Sequence, residues 1–543
     1  MNLSSAVSRR TLYRWIAPPV AVAMAGLAAI GPASATAGPT RDTPGVSWQA
    51  CPSYSDDILR AIGIGDPQLA RARELLDRME CGTVTVPLDY AQPRGRKITV
   101  AITRLKAVDQ GRRLGSLAIN PGGPGGSGYL TPLQFMMLND ADAHLNDRYD
   151  LIGFDPRGVG YSTKVECALS GGVDLPGTGP VTEAQARTIF DAGVAANRDC
   201  AASDPAFLGQ LTTLNVARDL DSVRAALGER RISFLGVSWG TSLGAVYRSN
   251  FPGHVGRMFL DSVADPNFRL DDFQAKRAAA TERDFSRMAA WLAERAGTYQ
   301  LGDTADEVTA TVRALREDYD AHPRQYTDLP NPVDGSIVAL TAGQQSIAWP
   351  VAGQVLAELL HSAGGGQAPP TLKAVLGRAQ EGPPPGGPER YNAAANTATQ
   401  CNEDPSRLDF ADAWAAYQRI LANNPVTGRM NPFYAGCAGW SLPVRTAPLR
   451  RTGGSLVLSG HRYEGVAPYQ WTLDMQALVG GRVFTVSDDI HGSVLQAPEC
   501  GGDMVGYFNT GRVGAGCAGI TTPSSANPAG AAPLSFAGPA GKF

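Results

Sequence analysis

The sequence lacks any surplus of positive charge. Over 543 residues the formal net charge is −3, and without residues 1–37, whose only charges are Arg9, Arg10 and Arg14, it becomes −6. Such a chain has no basic footprint for a phosphate backbone, so no nucleic-acid partner is expected. It also lacks a second long apolar run. Beyond residues 16–30 no stretch reaches the roughly 20 residues that cross a bilayer, and no stable membrane association is expected of a mature chain. There is no C-x-x-C pair, and no cysteine stands at zinc-ligand spacing from a histidine. No metal or other cofactor is therefore expected. Charged residues make up only 18% and hydrophobic ones 43%, a globular balance that excludes a disordered or fibrous chain.

What is present begins with a leader. Residues 1–37 open on a cationic segment, pass through the apolar run, and end in Ala33-Ser34-Ala35 and Ala35-Thr36-Ala37, two small-x-small cleavage sites. This predicts an export signal and a secreted, extracellular protein. Ser8-Arg9-Arg10-Thr11-Leu12 resembles a twin-arginine signal and points to that route. Outside the cytoplasm cysteines pair. Cys51 with Cys81, Cys167 with Cys200, Cys401 with Cys437 and Cys500 with Cys517 are the expected disulfides, because sequential pairing closes loops of modest size.

Short apolar runs at 98–103, 117–120, 149–154, 232–235, 258–260, 456–458 and 482–486 predict strands, and 215–227 has helical spacing ended by Gly228. Strand, helix, strand implies an α/β fold with a mostly parallel sheet. Nearly 200 residues separate two of these strands, which predicts an insertion with helices near 271–297, 304–320, 343–361 and 408–422 and a mobile Gly/Pro-rich loop at 364–388. The expected organisation is an export signal (1–37), the first part of a core (38–265), a mainly helical cap (266–450), the second part of the core (451–517) and a disordered tail (518–543).

Chemistry is legible at three places. Gly236-Val237-Ser238-Trp239-Gly240 fits G-x-S-x-G between a predicted strand and a helix, the setting of a nucleophile elbow with Ser238 exposed on a sharp turn. Small residues are needed two positions either side, because the strained turn leaves no room for side chains. Asn120-Pro121-Gly122-Gly123-Pro124-Gly125-Gly126-Ser127-Gly128 follows another strand. No Gly-Lys-Ser/Thr follows it, so it is not a phosphate cradle. Its backbone amides at Gly122 and Gly123, with that of Trp239, are candidates for an oxyanion hole.

Acyl transfer also needs a base and an acid. In the α/β-hydrolase order of serine, acid, histidine, only His461 and His491 fall late enough, and His461 comes one strand too early. His491 is the predicted base. The carboxylate after the 456–458 strand is Glu464, the predicted acid, with Asp261, Asp474, Asp488 and Asp489 as rivals.

Residues 120–128, 149–162, 236–244, 261–266 and 456–500 together resemble secreted actinobacterial tripeptidyl aminopeptidases and related prolyl-type exopeptidases of the α/β-hydrolase fold. The resemblance implies a serine hydrolase with an inserted helical cap that removes short peptides, tripeptides above all, from free N-termini. Where that family usually has Asp in an E-L-D-P-V-T-P-like segment, this chain has Glu464 in Arg462-Tyr463-Glu464-Gly465-Val466-Ala467-Pro468, and Trp239 stands where the family has Tyr. An exopeptidase must bind an ammonium group, and Glu403 and Asp404, beside Cys401, are candidates. Two rival readings remain beside the peptidase: a secreted esterase or hydrolase of a peptide-like natural product using the same triad, and a catalytically degenerate binding protein.

Overall fold

A computed structural model describes residues 45–167, 169, 178–378, 386–389, 391–524 and 534. The expected export signal lies outside them. The described strands are β1 (Ser47–Gln49), β2 (Met79–Pro87), β3 (Lys97–Leu105), β4 (Gly115–Asn120), β5 (Tyr149–Phe154), β6 (Ile232–Val237), β7 (Val255–Asp261), β8 (Ser455–His461), β9 (Arg482–Val486) and β10 (Gly516–Cys517). They form one ten-stranded sheet in the order β1-β2-β3-β5-β4-β6-β7-β8-β9-β10. β1, β2 and β3 pair antiparallel and β3 joins β5 antiparallel, whereas every pairing from β5 through β4 to β10 is parallel.

The parallel strands read as near-continuous apolar runs because both faces are covered. Alternation sends Phe234, Met258, Leu260 and Leu458 to one face with the helix Thr213–Ala226, and Leu235, Phe259, Val457 and Phe484 to the other with the helix Pro498–Thr510. This is the α/β architecture that the strand–helix alternation predicts. Strands β1, β2 and β10 were not among the predicted runs. β1 and β10 are too short to carry a period, and β2 is interrupted by Gly82, where a Cβ would stand 2.6 Å from Val46 Cγ1 and 3.1 Å from the Trp48 ring.

Between β7 and β8 stand the helices Leu270–Ala293, Ala305–Ala321, Gly335–Ala342, Trp349–His361, Pro370–Arg378, Ala393–Glu403 and Phe410–Asn423. Several share an apolar cluster of their own, with Trp291, Val312, Tyr319 and Leu356 buried in it. The single helix expected over 343–361 begins only at Trp349. Gly343 caps the preceding helix, and Ser346 donates its amide and hydroxyl to Asp489, 2.7 and 2.5 Å away. The loop expected over 364–388 contains the helix Pro370–Arg378, because Leu372 and Val375 have an apolar cluster to enter. Residues 518–524, expected in a disordered tail, are held by bonds from Ile520 to Asp488 and from Trp291 and Arg295 to the carbonyls of Pro523 and Ser524.

The eight cysteines pair sequentially, as expected: Cys51–Cys81, Cys167–Cys200, Cys401–Cys437 and Cys500–Cys517. Their Cα separations of 5.1 to 5.6 Å lie inside the range a disulfide spans. Cys401–Cys437 fastens the end of the helix Ala393–Glu403, and with it Glu403 and Asp404, to the segment after the helix Phe410–Asn423.

Candidate active site

Ser238 sits between β6 and the helix Trp239–Asn250 with φ +58° and ψ −125°, a conformation L-residues rarely hold. It is over-determined from outside: its amide donates to the Asp261 carbonyl at 3.1 Å, and its carbonyl accepts from the amide and hydroxyl of Thr241 at 2.9 and 2.6 Å. A Cβ at Gly236 would stand 2.4 Å from the Gly240 carbonyl oxygen, and one at Gly240 would stand 2.6 Å from that of Asn120. The two flanking glycines are thus required by each other and by the end of β4. Strain held in this way is characteristic of sites that do chemistry.

The glycine loop closes over the same turn. Gly122 has φ +108°, and a Cβ on it would meet the Val237 carbonyl at 2.8 Å and the Ser238 Cβ at 2.9 Å. Its own amide donates to Asn120 Oδ1 at 3.1 Å. The next amide, Gly123, is exposed and has no acceptor among the described residues. Trp239 opens the helix, where an N–H has no intrahelical acceptor. Gly123 and Trp239 therefore remain the candidate oxyanion amides among the described residues, and Gly122, whose amide is taken by Asn120, is instead the spacer that lets the loop approach. Asp155 fixes the far end of the loop, accepting from the Ser127 hydroxyl at 2.6 Å and the Gly128 amide at 3.1 Å.

Glu464 and His491, predicted from chain order, meet: His491 Nδ1 is hydrogen-bonded to Glu464 Oε1. The carboxylate is buried. Oε1 also accepts the Ala467 amide at 2.9 Å, and Oε2 accepts the Ser262 hydroxyl at 3.0 Å. Ser262 Oγ in turn accepts the Gly492 amide at 2.9 Å, so one hydroxyl links the acid to the residue after the histidine. With Nδ1–H given to Glu464, the imidazole presents Nε2 as its basic nitrogen. Ser238, Glu464 and His491 all stand at the C-terminal ends of β6, β8 and β9, where an open α/β sheet puts its ligands.

The rival acids are occupied elsewhere. Asp474 is half-buried and accepts from Gln470, and Asp489 holds Ser346. Asp261 and Asp488 grip His461 from both sides, Nε2 at 2.9 Å and Nδ1 at 2.7 Å, in a fully buried cluster. Burial alone would lower this imidazole's pKa. The charges and hydrogen bonds of Asp261 and Asp488 outweigh burial and hold it well above its ordinary value, so His461 is an imidazolium. It is not the base; it fastens the ends of β7 and β8 to the loop that carries His491. Only its place at a strand end hinted at this.

Beside His491 opens a cavity of about 360 Å³, lined also by Val466, Arg277, Tyr434, Asp404 and Asp284. Asp404 is buried. Its Oδ1 accepts from Leu270 and Ser406, while Oδ2 has no donor among the described residues. Glu403 turns away into a second cavity, where its carboxylate accepts the Thr213 amide at 2.5 Å and hydroxyl at 2.9 Å and burial pushes its pKa up to about 7. Asp284 is pushed up to about 8 by burial and by Asp489, against the opposing Arg287, so it enters neutral solution protonated.

Fold and site define a serine hydrolase of the α/β-hydrolase kind, and the family described as alpha/beta hydrolase fold matches residues 116–360. The chain is 32% identical to a tripeptidyl aminopeptidase of Streptomyces lividans over 82% of this chain and 84% of that one. It is 28% identical to the serine protease Hip1 of Mycobacterium tuberculosis over 82% and 86%, and 28% identical to a carboxylesterase B of the same species over 93% and 95%. The chain belongs to the tripeptidyl aminopeptidase family of serine hydrolases.

Proposed function

We propose that the protein is a secreted exopeptidase that releases short peptides, tripeptides first, from free N-termini through an acyl-enzyme. Ser238 Oγ attacks the scissile carbonyl as His491 Nε2 takes its proton. Gly123 and Trp239 N–H groups receive the oxyanion, and Glu464 holds and stabilises the imidazolium. The imidazolium protonates the leaving amine as the C–N bond breaks. A water, deprotonated by the same nitrogen, then hydrolyses the ester and returns Ser238.

The observation that carries the exopeptidase reading is Asp404 Oδ2, a buried carboxylate oxygen without a donor, in the cavity that also exposes His491. A substrate ammonium would supply the missing donor by a charge-assisted bond. Of the two candidates Asp404 is preferred, because Glu403 is saturated by Thr213 and faces the other cavity. Export is supported by the leader-like residues 1–37 and by the four disulfides.

The test is release of p-nitroaniline from a free tripeptide anilide and its N-acetyl twin, with Ser238→Ala as the control. Preference for the free amine by tenfold or more, about 1.4 kcal/mol of transition-state discrimination, is expected, and Asp404→Asn should abolish it. Equal Ser238-dependent rates would replace exopeptidase by an endo-acting peptidase. The relative named carboxylesterase B supports a second reading, an esterase, and turnover of p-nitrophenyl esters with no anilide release would establish it.

A further inference from the structure

Among the charges that line the cavity beside His491, most are already neutralised within the protein. Asp271 is paired with Arg269 at 2.6 Å, Asp284, raised to about 8, keeps its proton beside Arg287 at 2.5 Å, and Asp489 is buried on Ser346. Besides Asp404, one charged group stays unpaired: Arg277, on the helix Leu270–Ala293. It has no carboxylate within 4 Å among the described residues, and its Nε is buried without an acceptor. Its neighbour on the same helix, Lys276, has two carboxylates, Asp265 at 2.7 Å and Asp272 at 3.0 Å.

Arg277 is also held in place. Its guanidinium lies 5.4 Å from the ring centre of Phe273, one helical turn earlier, and Phe273 is stacked on Trp471 at 5.3 Å with 18° between the planes. A flat aromatic support orients the planar fork before any ligand arrives. Glu464 is the carboxylate whose charge acts most on it, which puts Arg277 on the triad side of the cavity. Glu464 cannot serve as its partner, because both oxygens are taken by His491, Ala467 and Ser262. Burial without a counter-charge pushes the guanidinium pKa down to about 10, the mark of a cation left short of an anion.

We propose that Arg277 is a specificity residue that receives a substrate carboxylate, so that the preferred substrates carry an acidic side chain, Asp or Glu, on the residue whose carbonyl Ser238 attacks. The assignment of that residue rests on the exopeptidase reading. The carboxylate recognition itself does not. An anion would bond Nε and a terminal nitrogen together, the bidentate geometry that arginine offers and lysine does not.

The experiment measures kcat/KM on the free-amine anilides Ala-Ala-Glu, Ala-Ala-Gln and Ala-Ala-Lys. In parallel it compares a p-nitrophenyl ester of glutaric acid, one carboxylate left free, with its uncharged amide analogue. Wild-type enzyme should favour Glu over Gln at least tenfold, and the charged ester over the neutral one in the same sense. Arg277→Gln should bring both ratios to about one, Arg277→Glu should favour the Lys substrate, and Arg277→Lys should keep part of the Glu preference. A wild-type Glu/Gln ratio at or below one, or a ratio unchanged in Arg277→Gln, overturns the proposal. If no anilide is cleaved the exopeptidase reading fails, and the ester pair alone decides on Arg277. If the Gln variant does not fold, Arg277→Met, which keeps the apolar stem and removes the charge, takes its place and should likewise bring both ratios to about one.

Discussion

Glu464 is one methylene longer than an aspartate, and its surroundings absorb that length. Ala467 donates to the oxygen that faces His491, and Ser262 donates to the other. A glutamine here keeps the size but must present an N–H where an acceptor is needed. Glu464→Gln is therefore expected to lower kcat by about 10²–10⁴-fold while KM moves little, in steady-state kinetics on whichever substrate is turned over. Undiminished kcat would remove Glu464 from the triad. Ser262 offers a sharper separation, because it pays about 1–3 kcal/mol for its left-handed backbone at φ +51°. Ser262→Gly relieves that strain and deletes the hydroxyl. It should fold at least as stably as Ser262→Ala yet share the same loss of kcat, about tenfold or more. The elbow at Ser238 with its glycines and the meeting of Glu464 with His491 were legible, because the elbow is a local pattern and the expected acid and base follow in chain order. Ser262 and Arg277 were not, since what makes them significant is a partner 202 residues away in one case and a missing partner in the other.

At the scale of elements, His461 joins what the sheet alone leaves separate. β7 and β8 pair side by side, but the loop from Asp488 to Gly492 has no ladder of its own. The buried imidazolium between Asp261 and Asp488 supplies the link, and Ser493 and Ile520 satisfy the second oxygen of Asp488. His461→Leu would leave two buried carboxylates facing an apolar side chain. It is expected to cost about 3–5 kcal/mol in urea unfolding at neutral pH, and less at pH 4–5, where the carboxylates can protonate. A cost under about 1 kcal/mol would mean that the charge triad holds nothing together. The strands themselves were readable from apolar runs because the parallel sheet is covered on both faces. The break before Trp349 was not, since Asp489 makes it from 143 residues away, and the helix Glu183–Ser203 passed unread although Thr182 and Gln185 form its capping box. That helix packs Phe190 edge-on against Phe410, so the helices between β7 and β8 draw part of their packing from a segment that precedes β6.

For the whole molecule, the buried acids and His461 tilt stability against rising pH. Burial raises Asp142 and Asp284 to about 8, Glu403 to about 7 and Asp155 to about 6. Between the ordinary carboxylate range near 4 and these values the folded chain holds protons that the unfolded chain has released, so stability falls as pH rises. His461 acts in the same direction: its contribution is complete below about 6.5, the unfolded value, and is lost as pH climbs through its raised folded value. Acids held low by arginines or lysines, such as Glu80 and Asp204, act oppositely, but only below about 4, where they protonate. Tm should therefore peak near pH 5 and decline steadily to pH 9. Asp284→Asn fixes one of these groups in its neutral form, so its Tm should fall less between pH 5 and pH 8 than that of the wild type in differential scanning calorimetry. Parallel curves for the two proteins would show that Asp284 ionises normally and that Arg287, rather than Asp489, governs its charge.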